Sequence, residues 1–339
     1  MMSRKIGFFI KKLERESGVM VSVKHLKNNL DKAGFPADVC YYTDDSDLLD
    51  AVSRSDYQCI DLHVPSFRDD TLEKILSMHD NVVLSIHSTI CNLQTEGDAF
   101  SRLLRLGSSG IKNLRFTCPS RVECEGLNAI TEGNYIYLPN TFSYAVDGNE
   151  IRRRISDTCL PLNRPLRISL FCEYRPMKNI LTQAAAVAKF AEIYGREVEL
   201  HVFSPANPNP IFVNMSNICK YKGLDLVVHE RMSNEDCFRL QSAMDIGLQV
   251  SLSETLSYVA FEQMIQGVPV IGSDSIPFAS MNASYSSMPE MCDCICRLLE
   301  STDQYRAYCI ESYEKAFRFN EESIRNAMKA VERMVNRDE

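Results

Sequence analysis

Along this chain, short runs of β-branched and aromatic residues alternate with longer stretches whose apolar positions recur every three or four residues. In the first half the short runs fall at 5–10, 37–42, 59–64, 81–86, 113–118 and 135–138, with helical stretches at 19–33, 46–53, 71–79 and 99–107. Gly34-Phe35-Pro36 stops the first helix, because neither glycine nor proline favours continuation. The second half restarts the alternation, with strands predicted at 167–171, 197–203, 224–228, 246–250 and 269–272 and helices at 179–194, 234–243 and 258–266. Residues 302–335 read as one or two amphipathic helices with charged faces. This alternation predicts α/β units with parallel strands. The stretch 157–165 has two prolines and no clear period, which puts the domain boundary there. The expected organisation is two separately wound α/β domains, 1–160 and 161–301, followed by C-terminal helices over 302–339. Ligands of such domains sit beyond the carboxyl ends of the strands.

Composition adds limits. A chain of 339 residues that is 45% apolar and 24% charged is not disordered, collagenous or a coiled coil. The formal charge of −8, from 37 Lys+Arg against 45 Asp+Glu, argues against a generic nucleic-acid coat but leaves room for a local basic face. The 13 cysteines are scattered from Cys40 to Cys309 without a paired framework, as expected of reduced thiols in a cytoplasm. Cys292, Cys294 and Cys296 have no histidine or second cysteine pair nearby to complete a tetrahedral site, so a helix with thiols on mixed faces is expected. The first apolar run, Ile6 to Ile10, is too short for a signal peptide, and no run approaches the roughly 20 apolar residues of a membrane span. A soluble, cytoplasmic protein is expected.

The chemistry concentrates between Asp245 and Phe278. A strand leads into the polar loop Ser251 to Ser257 and then into a helix. The helix start, around Leu256, Ser257 and Tyr258, offers backbone N–H groups without intrahelical partners and a partial positive charge, a natural seat for a phosphate. Glu254 in the loop and Glu262 in the helix flank that seat and are placed to accept hydrogen bonds from hydroxyls on either side of it. A sugar, a pyrophosphate and a ribose have that layout. Taken alone, the pair reads sooner as a helix cap and a solvated helix surface.

The wider segment resembles the donor-binding signature of GT-B retaining glycosyltransferases, especially family four. The matching residues are Asp245, Ser251, Ser253, Glu254, Glu262 (an E-x7-E spacing), Gly267, Pro269, Val270, Ile271 and Ser273. The resemblance implies two Rossmann-like domains facing a central cleft. It implies that Glu254 binds hydroxyls of the transferred sugar and Glu262 the donor ribose, with Ser253, Leu256 and Ser257 around the phosphates. In the family an Arg and a Lys after the second domain's first strand neutralise the donor pyrophosphate. Lys178-Asn179 matches the Lys end, whereas Arg175 lies closer to that Lys than usual and Glu173 takes about the usual Arg place. His87 ends a strand where the family keeps a His near the transferred sugar and acceptor; His63 is a weaker candidate of the same kind. Gly18 matches part of the family's small-residue turn beside the donor or acceptor, and Pro139-Asn140 its Pro-Asn turn. Arg231 and Met232 fall where the nucleobase usually packs. Asp45-Ser46-Asp47 looks like a metal-binding DxD, but it sits at a helix start, where Asp is a favoured cap.

The implied reaction is transfer of a hexose or pentose from a nucleotide sugar, UDP- or GDP-linked, to an acceptor hydroxyl. It retains anomeric configuration and needs neither a metal nor another cofactor. The leaving diphosphate is stabilised by Lys178, Arg175 and the helix start. Two local excesses of charge, +5 over residues 1–32 and +5 over residues 102–121, suggest a phosphate-bearing acceptor or ordinary solvated helix faces. Lys11, Lys12, Arg15, Lys24 and Lys27 lead the first group, and Arg102, Arg105, Lys112, Arg115 and Arg121 make the second. Glycan, lipid and hydroxymethylated DNA base remain open as acceptors, the last in a virus-infected bacterial cell and the others in a bacterial cytoplasm. Peripheral membrane contact has no clear support. The alternative is a non-catalytic protein of this fold that binds a nucleotide sugar or nucleic acid.

Overall fold

The computed structural model describes residues 5–13, 17–63, 67–93, 96–131, 133–160 and 162–336. Arg15, named above, and position 64, the last of one predicted strand, lie outside them. Contacts divide the chain into one unit of Met1–Tyr144 with Asn320–Glu339 and a second of Ala145–Phe319.

In the first unit the order is β1 (Ile6–Lys11), α1 (Gly18–Lys32), β2 (Ala37–Tyr42), α2 (Asp45–Ser53), β3 (Cys59–His63), α3 (Asp69–Met78) and β4 (Val82–Ser85). Then come α4 (Ile90–Leu93), α5 (Ala99–Gly107), β5 (Leu114–Cys118), α6 (Arg121–Ile130) and β6 (Tyr135–Tyr137). The strands form one parallel sheet in the order β2-β1-β3-β4-β5-β6. Alternation along β1 serves both faces: Phe9 enters the cluster with Ile60, Leu62, Val82 and Phe116, while Ile6, Phe8 and Ile10 join the one with Val23, Leu26 and Leu30 of α1. Each fully buried Phe or Ile contributes roughly 1.5–3 kcal/mol.

The second unit runs α7 (Gly148–Asp157), β7 (Leu166–Ser169), a 3-10 turn (Pro176–Lys178), α8 (Ile180–Tyr194), β8 (Val198–Phe203), α9 (Pro210–Lys222) and β9 (Asp225–His229). It continues with α10 (Asn234–Ser242), β10 (Ile246–Gln249), α11 (Tyr258–Met264), β11 (Val270–Gly272), β12 (Met281–Asn282), α12 (Met288–Leu298) and the first half of α13 (Thr302–Asn336), whose residues from Asn320 onward belong to the first unit. Its parallel sheet has the order β12-β11-β10-β7-β8-β9. The two sheets with interleaved helices make two Rossmann-like units. In the second, the chain winds outward from β7 through β8 to β9, returns to β10 and winds the other way. The order therefore reverses between β7 and β10, and a ligand crevice in such sheets opens beyond the carboxyl ends at that point.

The unit division falls ahead of the 157–165 stretch. Helix α7 belongs by its contacts with the second unit: Ile151 and Ile155 pack with Tyr305 and Cys309. The same two isoleucines explain Gly267, whose φ of 76° suits glycine and where an added Cβ would stand 2.8 Å from Ile155 Cδ1 and 3.1 Å from Ile151 Cγ2. The last element is a single helix of 35 residues. Its Ala327, Ala330, Val331 and Met334 are buried with Ile6, Phe8 and Ile10. Arg115, buried, ties its end down by donating to the carbonyls of Arg333 (2.8 Å) and Met334. Cys292, Cys294 and Cys296 lie on α12, the first two buried and the third exposed. No described helix is long and apolar enough to cross a membrane.

Candidate functional site

The loop after β10 and the turn after β7 meet at the reversal of the second sheet. Leu252 N–H donates to Met177 O at 2.8 Å, stapling loop to turn. Asn179 follows the turn with φ 54° and ψ 36°, a left-handed conformation that Asn tolerates better than most residues. Its amide donates to Val250 O (3.1 Å) and Tyr285 O (2.7 Å). Gln183 of α8, fully buried, completes the clamp: it donates to Lys178 O at 2.7 Å and accepts from Val250 N–H at 2.8 Å.

This frame brings Lys178 and Glu254 into direct contact. Nζ of Lys178 donates to Oε1 of Glu254, and both side chains are mostly buried, at 14% and 7% exposure. Ser251 Oγ adds a second donor to the same oxygen at 3.0 Å. Ser273 in turn holds the Ser251 carbonyl at 2.6 Å. The pair thus forms one preorganised cation–carboxylate unit at the carboxyl ends of β7 and β10. Cys172, close by, is held as a thiol, its pKa pushed up to about 12 by burial.

The other sequence candidates separate into groups. Ser257 caps α11, accepting from Ala260 N–H at 3.2 Å and donating to Gln249 Oε1 at 3.3 Å. Leu256 and Ser253 lie partly buried in the loop before it. Helix α11 is short, seven residues, so its dipole is smaller than the predicted 258–266 helix implied. Glu262 sits in its second turn and accepts from Gln241 Nε2 of α10 at 2.6 Å. Arg175 stands apart from the Lys178–Glu254 pair: it is exposed and pairs with Glu173 at 3.2 Å. Arg231 and Met232 are exposed between β9 and α10. Asp245 has a structural role, since Arg164 grips it with two 2.7 Å hydrogen bonds and Arg167 N–H adds one of 2.8 Å. Beside β9, His201 Nδ1 and His229 Nε2 are 2.8 Å apart, and His201 Nε2 lies 3.0 Å from Glu199.

In the first unit His87 follows β4, partly buried, with its Nε2 2.7 Å from His63 Nδ1. Burial, and then the neighbouring His63, hold the His87 pKa well below the usual imidazole range. Both histidines line a small recess with Ser22, Ser85, Thr117 and Asn140 at the carboxyl ends of the strands. Gly18 opens α1; it is exposed, and nothing within 4 Å opposes a Cβ there. Asp45 and Asp47 serve local structure: Asp45 accepts from Thr71 Oγ1 (2.7 Å) and Asp47 from Thr43 N–H (2.8 Å).

The second basic segment is largely engaged internally, and the first in part. Arg102 and Arg105 both pair with Asp69, the first at 2.7 Å, and Arg121 lies 4.8 Å from the Tyr137 ring centre. Arg115 is buried against α13, and Lys27 pairs with Asp31 at 2.6 Å. The +5 over residues 102–121 is therefore not a free cationic surface; of its five cations, exposed Lys112 and Arg121 have no ion pair among the described residues.

Sequence reasoning passed over Gln183, Gln249, Gln263, Arg164 and Asp61. The signal available was a buried-type position filled by a polar side chain: Asp61-Leu62-His63 and Ser85-Ile86-His87 each set polar groups on one face of an otherwise apolar strand.

No family model and no curated protein matches the chain. Solved structures do. Sucrose-phosphate synthase from Thermosynechococcus elongatus superposes with a TM-score of 0.74 at 16% identity, over 98% of this chain and 99% of that one. HepE from Anabaena, in complex with UDP and glucose, gives 0.71 at 14% identity, over 98% and 100%. The trehalose-6-phosphate synthase OtsA gives 0.69 at 9% identity, over 98% and 99%. Across nearly its whole length, then, this chain has the fold of the GT-B glycosyltransferases.

Proposed function

We propose that this protein is a glycosyltransferase that moves a sugar from a nucleotide sugar, UDP- or GDP-linked, to an acceptor hydroxyl with retention of configuration. The observation that carries this reading is the buried Lys178–Glu254 pair, clamped by Asn179 and Gln183 where the second sheet reverses. A lysine held there is a fixed cation for the charge that develops on a departing diphosphate. Glu254 is acceptor-only and suits hydroxyls of the transferred sugar. On ligand binding the two groups exchange one another for phosphate oxygen and hydroxyl, so neither is left buried and unpaired. Glu262, steadied by Gln241, is assigned the ribose, and the loop from Ser253 through Ser257 the phosphate amides. Arg231 and Met232 border the base. Arg175, on an exposed turn, is a secondary cation. With Lys178 carrying the leaving charge, the reaction proceeds without a metal. His87 and Gly18 of the first unit are assigned to the acceptor side.

Support for the donor class comes from the fold neighbour HepE, seen with UDP-glucose as well as with UDP and glucose. Engagement of Arg102, Arg105 and Arg115 within the fold weighs toward a neutral glycan or lipid hydroxyl over a polyanion. The test is turnover of a panel of nucleotide sugars, followed by mass spectrometry with and without chelator. Release of the nucleoside diphosphate from at least one donor, undiminished by chelator and lost in Lys178→Met, is expected. Binding of donors with no turnover in any acceptor pool would mean a binding protein instead.

A further inference from the structure

The recess at the strand ends of the first unit has a buried base line. Asp61 and His63 alternate along β3, so both face the same side, and Ser85 and Thr117 stand beside His63 in register on β4 and β5. Asp61, His63, Ser85 and Thr117 are all at most 2% exposed. Ser85 Oγ donates to Asp61 Oδ1 at 2.7 Å and lies 2.6 Å from Thr117 Oγ1, which fixes the carboxylate from the sheet side. The other oxygen, Oδ2, is 3.2 Å from His63 Nε2. That contact is close but poorly aligned for a hydrogen bond, and neither atom has a hydrogen-bond partner among the described residues. With the Asp61 carboxylate facing it, Nε2 is the nitrogen of His63 that keeps the proton. His63 Nδ1 is then a lone-pair acceptor, and His87 Nε2, 2.7 Å away, must be the N–H that meets it. Burial and the neighbouring His63 favour a neutral His87, and with its proton on Nε2 its Nδ1 carries none. Phe8 packs edge-on against His63 at 5.6 Å and holds the ring in place.

We infer that Asp61 and His63 are positioning residues that lock His87 as an Nδ1 acceptor, so that this recess binds a ligand through a hydroxyl donor. Only the activity arm below rests on the transferase reading; the tautomer arm stands without it. The two histidines cannot both be charged at this distance in a buried site. The carboxylate behind them therefore acts through orientation and tautomer, as an orienting carboxylate does for a base two groups removed from it.

The experiment is long-range nitrogen–proton correlation NMR on protein labelled with nitrogen-15 histidine, near neutral pH. In the wild type both rings are expected neutral and protonated at Nε2, with His87 Nδ1 resonating as a bare ring nitrogen. A His87 proton on Nδ1, or a doubly protonated His63, overturns the inference. In Asp61→Asn, checked for folding by circular dichroism, His87 is expected to lose its single tautomer; full retention of it would count against the carboxylate's role. In the activity arm, the kcat for hydrolysis of UDP-glucose, or of whichever nucleotide sugar the panel finds active, falls about tenfold to a hundredfold in Asp61→Asn while the donor KM is unchanged. Equal loss of kcat in Asp61→Asn and in a remote destabilised control would reduce Asp61 to a fold residue. If no nucleotide sugar is turned over and the wild-type tautomers are as stated, the transferase reading fails and the histidine assignment stands.

Discussion

At the residue scale, the Lys178–Glu254 pair ties stability to function in a way that can be separated experimentally. Removing one partner strands the other in a mostly buried site. Lys178→Met should therefore lower stability by about 3 kcal/mol, and adding Glu254→Gln should recover most of that loss, since neutralising both sides removes the buried charge. Urea unfolding of the two single variants and the double variant gives the cycle; additive losses would show that the contact is not energetically coupled. A second residue-scale expectation concerns pH. Burial depresses the imidazole pKa at His87, and also at His201 and His229. A depressed histidine stays neutral when folded and is protonated when unfolded. Its stability contribution is therefore present above the unfolded value of about 6.5 and fades as pH falls below it. Thermal unfolding between pH 7 and pH 5 should show a falling Tm with proton uptake on unfolding, and His87→Gln should flatten part of that slope. A Tm that rises toward pH 5 would contradict the assignment. The lysine and the glutamate were both named from the resemblance, but their mutual contact was not legible, because residues 76 apart meet only through the sheet.

At the element scale, most strands and helices were legible because their apolar periods are clean: Ala37–Tyr42 and Ala99–Gly107 end where the pattern ends. Helix α9 was not, since its apolar residues, Ile211, Phe212, Val213 and Met215, do not keep to one face. Helix α7 was also missed, because five of its ten residues are charged and only Ile151 and Ile155 are buried. Those two side chains give Gly267 its reason. The resemblance reads Gly267 as part of a donor signature, while the structure makes it a helix terminator with no room for a methyl group. Gly267→Ala should cost about 1–3 kcal/mol, from the left-handed backbone and the clash with Ile155. Donor affinity of the folded fraction should be unchanged, as calorimetry would show. A weakened donor with unchanged stability would restore a binding role.

At the scale of the whole molecule, the two wound units were legible but the strand orders were not. Alternation predicts parallel strands without saying which are neighbours, and the reversal between β7 and β10 is what turns two distant loops into one site. Long-range ties such as Arg164 to Asp245 were likewise invisible, being 81 residues apart. The charge pattern misled in one respect: residues 102–121 are basic in sequence, yet Arg102, Arg105 and Arg115 are engaged within the fold. Duplex DNA should accordingly bind no better than the roughly 10⁻⁴–10⁻⁶ M of non-specific association at physiological salt. Fluorescence anisotropy with a labelled duplex measures this, and tight binding with a steep salt slope would reopen a nucleic-acid acceptor.

The most direct measurement is calorimetric titration of wild-type protein and of the Lys178→Met/Glu254→Gln double variant with UDP-glucose, GDP-mannose and their free diphosphates. At least one nucleotide sugar should bind the wild type, and its Kd should weaken tenfold or more in the double variant, about 1.4 kcal/mol or more. No binding by any of them, or equal affinity in the two proteins, would contradict a diphosphate-sugar site built on that pair.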